Sequence, residues 1–415
     1  MSDNNNVSTK KQDINDDNQQ EKLVPELRFP EFTDEWKEYK FKDLFDFKKG
    51  KGLSKDKVSS KKGKYPAILY GELYTTYNEF IKNIISFTNY DEGILSKKYD
   101  ILMPSSTTTK GIDLVTASVV PEDNIRLGGD IIILRPKITL NSKFLSLYIK
   151  YFLKSEILKL TQGSTIIHLY GKDLKKLNLK LPKIDEQNDI VNLIENINNK
   201  IDLLEKKLVL WDKYIFSLKC NYFDNINVEK IVKFKEIIKK GKAGGTPKSS
   251  IQSYYNGEIP FLTINDMTKQ GKFIKSTEKT ITKEGLNNSS AWIVPKNSLL
   301  YSMYASIGLV SINKIDLTTS QAIYSIILKD NVNQEYIFHY LKNYKRFIHK
   351  YIETGTQGNL NSKIIKNIKI KLPSLEEQNY YSNLFNIFDY KIQTLNTKIK
   401  QYKTFKKYLL QNMFI

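Results

Sequence analysis

Two stretches of the chain repeat apolar residues at alternating steps of four and three positions. The first comprises Ile190, Ile194, Ile197, Ile201, Leu204, Leu208, Trp211, Ile215 and Leu218. The second comprises Tyr381, Phe385, Phe388, Ile392, Leu395, Ile399, Tyr402 and Leu409, with Lys406 out of character. A heptad pattern kept this long predicts a helix that packs against another helix. We expect the two helices to pack against each other; the alternative is that each packs separately on a globular domain.

The two stretches are copies of one segment. Leu181 to Phe223 and Leu372 to Phe414 align without a gap at a constant offset of 191 residues, and they share Leu-Pro, Glu-Gln-Asn, Lys-Ile and the closing Phe. Pro182 and Pro373, each followed by acidic residues, are typical of the start of a helix. The pattern indicates an internal duplication.

The regions before each predicted helix are also related. Tyr39 to Lys180 mixes strand-like runs (Tyr65 to Tyr70, Asp130 to Arg135) with loops and a predicted helix from Ser142 to Leu160, and Glu229 to Lys371 repeats this order. Short matches support the repeat: Phe41 to Leu44 with Phe234 to Ile237, Lys48 to Lys51 with Lys239 to Lys242, Gly63 to Pro66 with Gly257 to Pro260, and Thr161 to Gly163 with Thr356 to Gly358.

The predicted fold is α+β, with two similar mixed domains joined by two long helices in a coiled coil, and an internal pseudo-two-fold repeat. The predicted boundaries are a disordered polar tail at 1–23, a first domain at 24–180, a first helix at 181–223, a second domain at 224–371 and a second helix at 372–415.

The net charge of the chain indicates what kind of partner it binds. The chain has 415 residues and a formal net charge of +20, which favours nucleic acid. A membrane surface is the rival, but the sequence has no lipidation signal, no apolar run of about 18 residues and no apolar signal segment at its start. A lone cysteine, Cys220, fits a reducing cytoplasm.

Few signs of catalysis are present. The sequence has no phosphate-binding loop, no G-x-G-x-x-G and no Asn-Pro-Pro or Asp-Pro-Pro segment of amino-methyltransferases. Three histidines and one cysteine, none at ligand spacing, argue against a metal site. His339 and His349 are interpreted as helix-surface residues. The chain is therefore predicted to bind rather than to catalyse.

Two domains of one type, each followed by a helix that opens Leu-Pro-x-x-[DE]-E-Q, resemble the specificity subunit of type I restriction-modification systems. In the second domain Gly244 to Pro247, Tyr254 to Leu262, Ala305 to Gly308 and Gly355 to Asn361 look like that family's target recognition domain. The first domain departs from the pattern, with Gly50 to Leu53 and Ser105 to Gly111 at the corresponding places.

The resemblance implies a non-catalytic DNA-recognition subunit. Each domain would read one half of a bipartite double-stranded DNA site. The helices, expected to be antiparallel, would set the distance between the halves and dock two modification (methyltransferase) subunits. Two ATP-dependent restriction subunits would complete the assembly. Adenine methylation and restriction would then use S-adenosylmethionine, ATP and Mg²⁺ on partner subunits, with no cofactor on this chain and a cytoplasmic, nucleoid-associated location.

Two other classes remain open: a coiled-coil structural protein with non-specific nucleic-acid-binding domains, and a self-sufficient nuclease. For the DNA-reading class we distinguish two sets of candidate residues. The candidate phosphate contacts are Lys48, Lys49, Lys51, Lys55, Lys61, Lys62, Lys239, Lys240, Lys242 and Lys248. The candidate base-reading residues are Thr107, Thr109, Lys110, Ser164, Thr165 and His168 in the first domain and Thr246, Ser249, Ser306, Gln357, Asn359 and Asn361 in the second.

Overall fold

A computed structural model describes residues 23–60, 62–228, 230–304, 306–348 and 360–415 of the chain. It divides into two compact units. The first unit comprises Met1–Leu203 and Ile399–Ile415, and the second comprises Leu204–Lys398. Each unit therefore contains one of the predicted domains together with the beginning of one long helix and the end of the other.

The first unit combines short strands and helices. Its strands are β1 (Lys37–Lys40), β2 (Phe45–Lys49), β3 (Tyr65–Ile68), β4 (Ser86–Thr88), β5 (Ile94–Leu95), β6 (Ile101–Pro104), β7 (Ser106–Thr107), β8 (Ser118–Val119), β9 (Arg126–Leu127), β10 (Ile131–Pro136), β11 (Ile167–His168) and β12 (Asn178–Leu181). Its helices are α1 (Phe41–Leu44), α2 (Tyr70–Thr75), α3 (Ser142–Leu147), α4 (Lys154–Leu160) and α5 (Gly171–Leu174), with a π-helical turn at Tyr148–Phe152. The first long helix, α6, is Ile184–Asn225.

The second unit repeats this composition. Its strands are β13 (Ile231–Lys233), β14 (Ile238–Ala243), β15 (Tyr255–Leu262), β16 (Phe273–Ile274), β17 (Lys279–Ile281), β18 (Leu299–Ser302), β19 (Val310–Asn313), β20 (Thr318–Thr319), β21 (Ile323–Leu328) and β22 (Lys369–Lys371). Its helices are α7 (Phe234–Ile237), α8 (Ile264–Gln270), α9 (Lys283–Asn287), α10 (Gln334–Tyr344) and α11 (Ser362–Lys366). The second long helix, α12, is Leu375–Asn412.

The sheets repeat in the same order. In the first unit the central sheet is β2-β10-β6-β8, and in the second it is β14-β21-β18-β19-β16. Beside it, β3 pairs in parallel with β9, as β15 does with β20. The apolar run Ile131–Leu134 of β10 is buried throughout, as expected of a strand covered on both faces. The predicted duplication is confirmed at the level of strand order.

One predicted correspondence between the copies is wrong. Lys48 to Lys51 does not match Lys239 to Lys242. Phe45 lies opposite Pro136 and Ile238 opposite Leu328, which already places β14 two positions beyond the predicted alignment, and the register shift between Ile238 and Lys240 adds a third. The strand pairs place Lys48 opposite Ile133 of β10 and Lys242 opposite Ser325 of β21. Lys48 therefore corresponds to Lys242, and Gly50 to Gly244, three positions beyond the predicted alignment.

The predicted apolar seam is buried at about half of its positions and partly buried at the rest. Ile190, Ile194, Ile197 and Ile201 at the start of α6 join one core with Leu409, Met413 and Phe414 at the end of α12. In the second unit the end of α6 meets the start of α12, with ring centroids 5.5 Å apart for Phe223 and Phe385. The start of one helix thus lies beside the end of the other, so the two helices run antiparallel.

Both long helices begin later than predicted. The first begins at Ile184, and Leu181 is the last residue of β12; the second begins at Leu375, after Pro373. The prolines lie in the turn before the helix, where their carbonyl groups accept side-chain hydrogen bonds. Pro182 accepts a hydrogen bond from Nε2 of Gln187, and Pro373 accepts one from Nε2 of Gln378, both at 2.9 Å.

The Gln-Asn part of the shared motif holds each long helix to the domain before it. Asn141 caps α3, and its backbone N–H donates to Oε1 of Gln187 at 2.9 Å. The Asn141 side chain also donates to Oδ1 of Asn188 at 2.8 Å. A capping residue satisfies helix N–H groups that have no partner within the helix. The pair Gln187 and Asn188 therefore fixes the long helix against the capped end of α3.

The second unit contains the same arrangement. Asn333 caps α10 and donates its backbone N–H to Oε1 of Gln378 at 2.9 Å. Its side chain donates to Oδ1 of Asn379 at 2.6 Å. The Gln and Asn residues that the two copies share thus make identical contacts.

The phenylalanine that closes each copy of the repeated segment packs in the same way in both units. Phe414 packs on Phe144 and Tyr148 in the first unit, at centroid distances of 5.1 and 6.0 Å. Phe223 packs on Tyr336 and Tyr340 in the second, at 5.7 and 5.3 Å. Because Asn141 and Asn333 cap the helices that carry these rings, the two clusters occupy equivalent places in the repeat.

Lys406, the polar residue in the second seam, has a buried partner. Its Nζ lies 4.0 Å from the carboxylate of Glu79, which also pairs with Lys150 at 2.9 Å and accepts a hydrogen bond from Tyr151. Burial alone would raise the pKa of Glu79, but these cations and the hydroxyl lower it to about 2. A cation within the apolar seam therefore serves an ionic cluster of the first unit.

His339 is not a helix-surface residue as predicted, because it is fully buried. Its Nε2 is 2.9 Å from Oδ1 of Asn386, and its Nδ1 is 3.4 Å from Nζ of Lys219, which pairs with Asp389 at 2.9 Å. Burial and the nearby ammonium lower the pKa of His339 to about 3, so it is neutral at physiological pH. His349 lies outside the described residues.

We predict that Gln187→Ala lowers the free energy of unfolding by about 2–4 kcal/mol, because the Asn141 N–H and the Pro182 carbonyl lose their partner in a buried place. Urea unfolding of the full chain measures this change. Gln401→Ala, at an exposed position of the second long helix, is the control and should have little effect. Equal losses for the two variants would contradict a specific role for Gln187.

The ionic cluster around Glu79 should make the free energy of unfolding depend on pH. Because the pKa of Glu79 falls from 4.5 to about 2 on folding, its contribution is complete above the unfolded value and is lost as the pH falls toward the folded one. Glu79→Gln should lower the free energy of unfolding at pH 7 by about 2–4 kcal/mol and flatten its decline between roughly pH 4.5 and pH 2. Urea unfolding across this range tests the change, with the exposed Glu31→Gln as control. Parallel pH curves for wild type and Glu79→Gln would refute it.

Candidate nucleic-acid interface

Three chain segments meet at one edge of the central sheet in the first unit. Because β2 and β6 are each antiparallel to β10, their ends lie beside its start. The backbone N–H of Gly50 donates to Ile131, that of Ser105 to Asp130 and that of Leu169 to Ser105, at 2.8, 2.8 and 2.9 Å. This edge therefore gathers the loops that carry the candidate residues.

The second unit has the same set of backbone bonds. Gly244 donates to Ile323 at 2.9 Å, Met303 to Ala322 at 2.8 Å and Leu360 to Met303 at 3.1 Å. Residues that make equivalent bonds occupy equivalent positions, so Asp130 corresponds to Ala322 and Leu169 to Leu360. The frame of the edge is shared, while its side chains differ between the units.

The glycine pair of the second unit is required by close packing. A Cβ on Gly244 would lie 2.2 Å from the carbonyl oxygen of Thr319, and one on Gly245 would lie 2.3 Å from the backbone nitrogen of Ala291. Such contacts leave no room for a side chain. Gly244 and Gly245 thus hold the following Thr246 at the edge.

The first unit contains a two-stranded ribbon at this edge. Strands β7 and β11 pair Thr107 with Ile167 and Ser106 with His168. Gly163 and Leu169 are six positions apart, whereas Gly358 and Leu360 are two apart. The additional residues of the first copy thus form β11 and the loop before it. The structure brings together the two candidate groups of this unit, 107–110 and 164–168.

The candidates on this ribbon differ in exposure. Thr109, Lys110, Ser164 and Thr165 are exposed, and His168 is half-buried. Thr107 is only 1% exposed, and its hydroxyl bonds to that of Thr109 at 2.9 Å and to Asp113 at 3.4 Å. Its burial argues against the prediction that Thr107 reads a base: it shapes the loop from inside.

A basic groove of about 350 Å³ lies beside the ribbon. Lys48 and Lys49, both predicted, line it with Lys172 and Lys175, which sequence reasoning missed. Its aromatic walls are Phe47, His168 and Tyr170; Lys175 lies over Phe47 at 5.2 Å and Lys172 over Tyr170 at 5.4 Å. Lysines interleaved with aromatic rings are suited to phosphates and bases.

Tyr170, which was not among the predicted residues, could have been found by comparing the two copies. It follows Leu169 as Asn361 follows Leu360, and both residues stand at the N-cap of a short helix. Tyr170 is 42% exposed and stacks at 18° to His168, with centroids 5.9 Å apart. Alignment of the copies at the constant offset would have paired it with the candidate Asn361.

A wider groove of about 890 Å³ lies on the other side of Asp130. The predicted Lys55 lines it with Lys57, Tyr70 and Tyr74. Lys57 pairs with Glu92 at 2.7 Å, so part of its charge is neutralised within the protein. Lys51 and Lys62 are exposed nearby in sequence, and Lys61 lies outside the described residues.

The candidates of the second unit have several roles. Thr246 accepts a hydrogen bond from the N–H of Gln321 at 3.4 Å, and Asn361 caps α11 by accepting from Ile364 at 3.0 Å. Ser306 is exposed in a left-handed backbone conformation with φ 48°. The other exposed candidates are Ser249, Lys239, Lys240, Lys242 and Lys248. Gln357 and Asn359 lie outside the described residues.

Two lysines of this unit already have partners. Lys240 lies over the ring of Trp292 at 4.5 Å, and Lys239 is 3.5 Å from Asp330. Both lysines are exposed, and such surface pairs are weak.

The described part of the chain contains no cluster of three or more His, Cys, Asp or Glu residues arranged to hold a metal ion. Within the same ranges, no helix has the length and apolar character needed to cross a membrane.

Comparison with known proteins agrees with this architecture. A family model described as the Type I restriction modification DNA specificity domain matches residues 33–209 and again residues 226–403. The two matches cover both copies of the repeat and most of the chain. The chain therefore belongs to this family.

Named relatives share the family. The MjaIX specificity subunit of Methanocaldococcus jannaschii is 32% identical over 180 residues, which cover 41% of this chain and 40% of that protein. The MjaVIII specificity subunit of the same organism is 24% identical over 388 residues, covering 84% and 88%. The match to MjaIX spans about two fifths of the relative's length.

A solved structure shows the same fold. The type I restriction-modification S subunit from M. genitalium matches with a TM-score of 0.61 at 17% sequence identity, covering 95% of this chain and 99% of that chain. The predicted fold, two mixed domains and two long helices, is therefore confirmed.

Proposed function

We propose that this chain is the specificity subunit of a type I restriction-modification complex and recognises a bipartite site in double-stranded DNA. The observation that carries the proposal is the pair of equivalent sheet edges, identical in backbone hydrogen bonds and different in side chains. One frame with two sets of side chains suits one task performed on two sequences. Membership of the DNA specificity family supports it.

In this proposal the two classes of side chain have separate tasks. Lysines of the edge contact phosphates and position each unit without reading sequence. The exposed polar residues then face base edges. In the first unit the β7–β11 ribbon carries Thr109, Lys110, Ser164 and Thr165, and a two-stranded ribbon fits the major groove. Tyr170 and His168 add aromatic faces beside it.

The chemistry belongs to partner chains. We propose that two modification subunits bring S-adenosylmethionine and methylate adenine, and that two restriction subunits bring ATP and Mg²⁺ chemistry, so that this chain is not itself an enzyme. Exposed apolar residues on the first long helix, among them Val209, Leu210 and Phe216, support a docking role for the helices. The expected location is the cytoplasm, at the nucleoid.

The alternative is a coiled-coil interaction protein whose basic domains bind nucleic acid without sequence preference. The duplicated frame argues against it, because a non-specific binder has no need for two different sets of edge side chains on one frame. A self-sufficient nuclease is the third class, and incubation of the pure chain with Mg²⁺ and plasmid should give no cleavage.

Deletion of the gene, followed by genome-wide mapping of adenine methylation, tests the proposed function. We expect methylation to disappear from one split, asymmetric motif and to return when the gene is restored. An unchanged methylation map would contradict the proposal.

We predict that Lys172→Ala and Lys175→Ala weaken binding of duplex DNA on cognate and scrambled half-sites alike. Each lost phosphate contact should reduce the slope of log affinity against log salt by about one. The matched control is Lys42→Ala, which is exposed on α1 and absent from the groove lining. Titrations at several salt concentrations measure the slope, and an unchanged slope in both groove variants would exclude them as phosphate contacts.

A further inference from the structure

One carboxylate stands among the lysines of the first unit's edge. Among the described residues, Asp130 is the only acidic one that lines the basic groove, which it shares with Lys48, Lys49, Lys172 and Lys175. It also lines the wider groove on its other side. A carboxylate repels phosphate, so its presence on a DNA-binding surface requires another partner.

The backbone fixes where this side chain points. Asp130 has a left-handed conformation with φ 57°, which is uncommon for a residue other than glycine. Its carbonyl oxygen accepts from the N–H of Ser105 at 2.8 Å, and its neighbour Ile131 accepts from Gly50. The residue is thus held between the ends of β2 and β6, the two strands that lead into the candidate loops.

The contacts within the protein leave the carboxylate able to accept more hydrogen bonds. Oδ2 accepts from the Ser106 hydroxyl at 3.2 Å, and Oδ1 is 4.0 Å from Nζ of Lys49, beyond hydrogen-bond distance. The side chain is 48% exposed. Two carboxylate oxygens offer about four acceptor positions, so most of this capacity faces the open edge.

An ionised carboxylate such as that of Asp130 only accepts hydrogen bonds, so it suits a base that presents an amino group. In the major groove, Asp and Glu accept from N4 of cytosine, whereas the guanine edge offers only acceptors and repels a carboxylate. We propose that Asp130 reads the amino group of a cytosine in the half-site bound by the first unit. This inference rests on the proposed function and assigns a base to one of its two half-sites.

The duplication limits the inference to one half-site. The equivalent residue in the second unit is Ala322, whose carbonyl oxygen accepts from Met303 as that of Asp130 accepts from Ser105. The second unit therefore lacks this acceptor, and a change at Asp130 should alter only one half of the motif.

The test is methylation mapping, and binding of duplexes varied at each position, with Asp130→Asn and Asp130→Ala in the full complex. Asn tolerates the left-handed conformation and keeps an acceptor for Ser106. Because Asn pairs with adenine, Asp130→Asn should add adenine at one former cytosine position. Asp130→Ala should reduce discrimination there on the order of 10- to 100-fold.

Asp46→Asn is the matched control. It removes the same charge from the other end of β2, where Asp46 lies opposite Arg135 in the strand register and 3.7 Å from Nζ of Lys137. It should leave the motif unchanged.

Three outcomes would overturn the inference. The wild-type motif could contain no C·G pair in either half, both Asp130 variants could keep the wild-type motif, or the motif could relax in both halves. Absence of any split motif in the wild type would instead contradict the proposed function, and this inference with it.

Discussion

The hydrogen bonds between each Gln-Asn pair and a capped helix are the constraint on which the rest of the architecture depends. Gln187 and Asn188 bond to Asn141, and Gln378 and Asn379 bond to Asn333, with the same atoms in each unit. The side chains of Gln187 and Gln378 are buried, and buried polar groups are costly unless every partner is present. Each long helix can therefore dock on its domain in only one register.

That register determines the remaining contacts. Once the start of a long helix is fixed, its seam meets the end of the other helix, whose closing Phe packs on the same capped helix. The sheet edge of the domain is then free to vary, because its loops take no part in docking. The Gln-Asn pairs that the two copies share therefore hold the frame, whereas the side chains at the two sheet edges differ.

The sequence was informative where one local pattern controls the structure. Heptad spacing predicted the long helices, and the run from Asp130 to Arg135 predicted a strand. It failed where a residue from elsewhere in the chain decides the outcome. Lys406 interrupts the apolar seam because it pairs with Glu79. His339 is buried because Asn386 and Lys219 provide polar contacts for its ring. Thr107 points inward, toward Asp113. Tyr170 was missed because the insertion before it obscured its match with Asn361.

In the function proposed above, the two long helices determine the distance between the two half-sites that the units read. Insertion of one heptad after Leu204 and one after Leu395 keeps both seams in phase and lengthens the pair by about 10 Å, or roughly three base pairs of rise. Methylation mapping of this variant should show the same two half-sites with a longer spacer between them. Unchanged half-sites with an unchanged spacer would contradict the account.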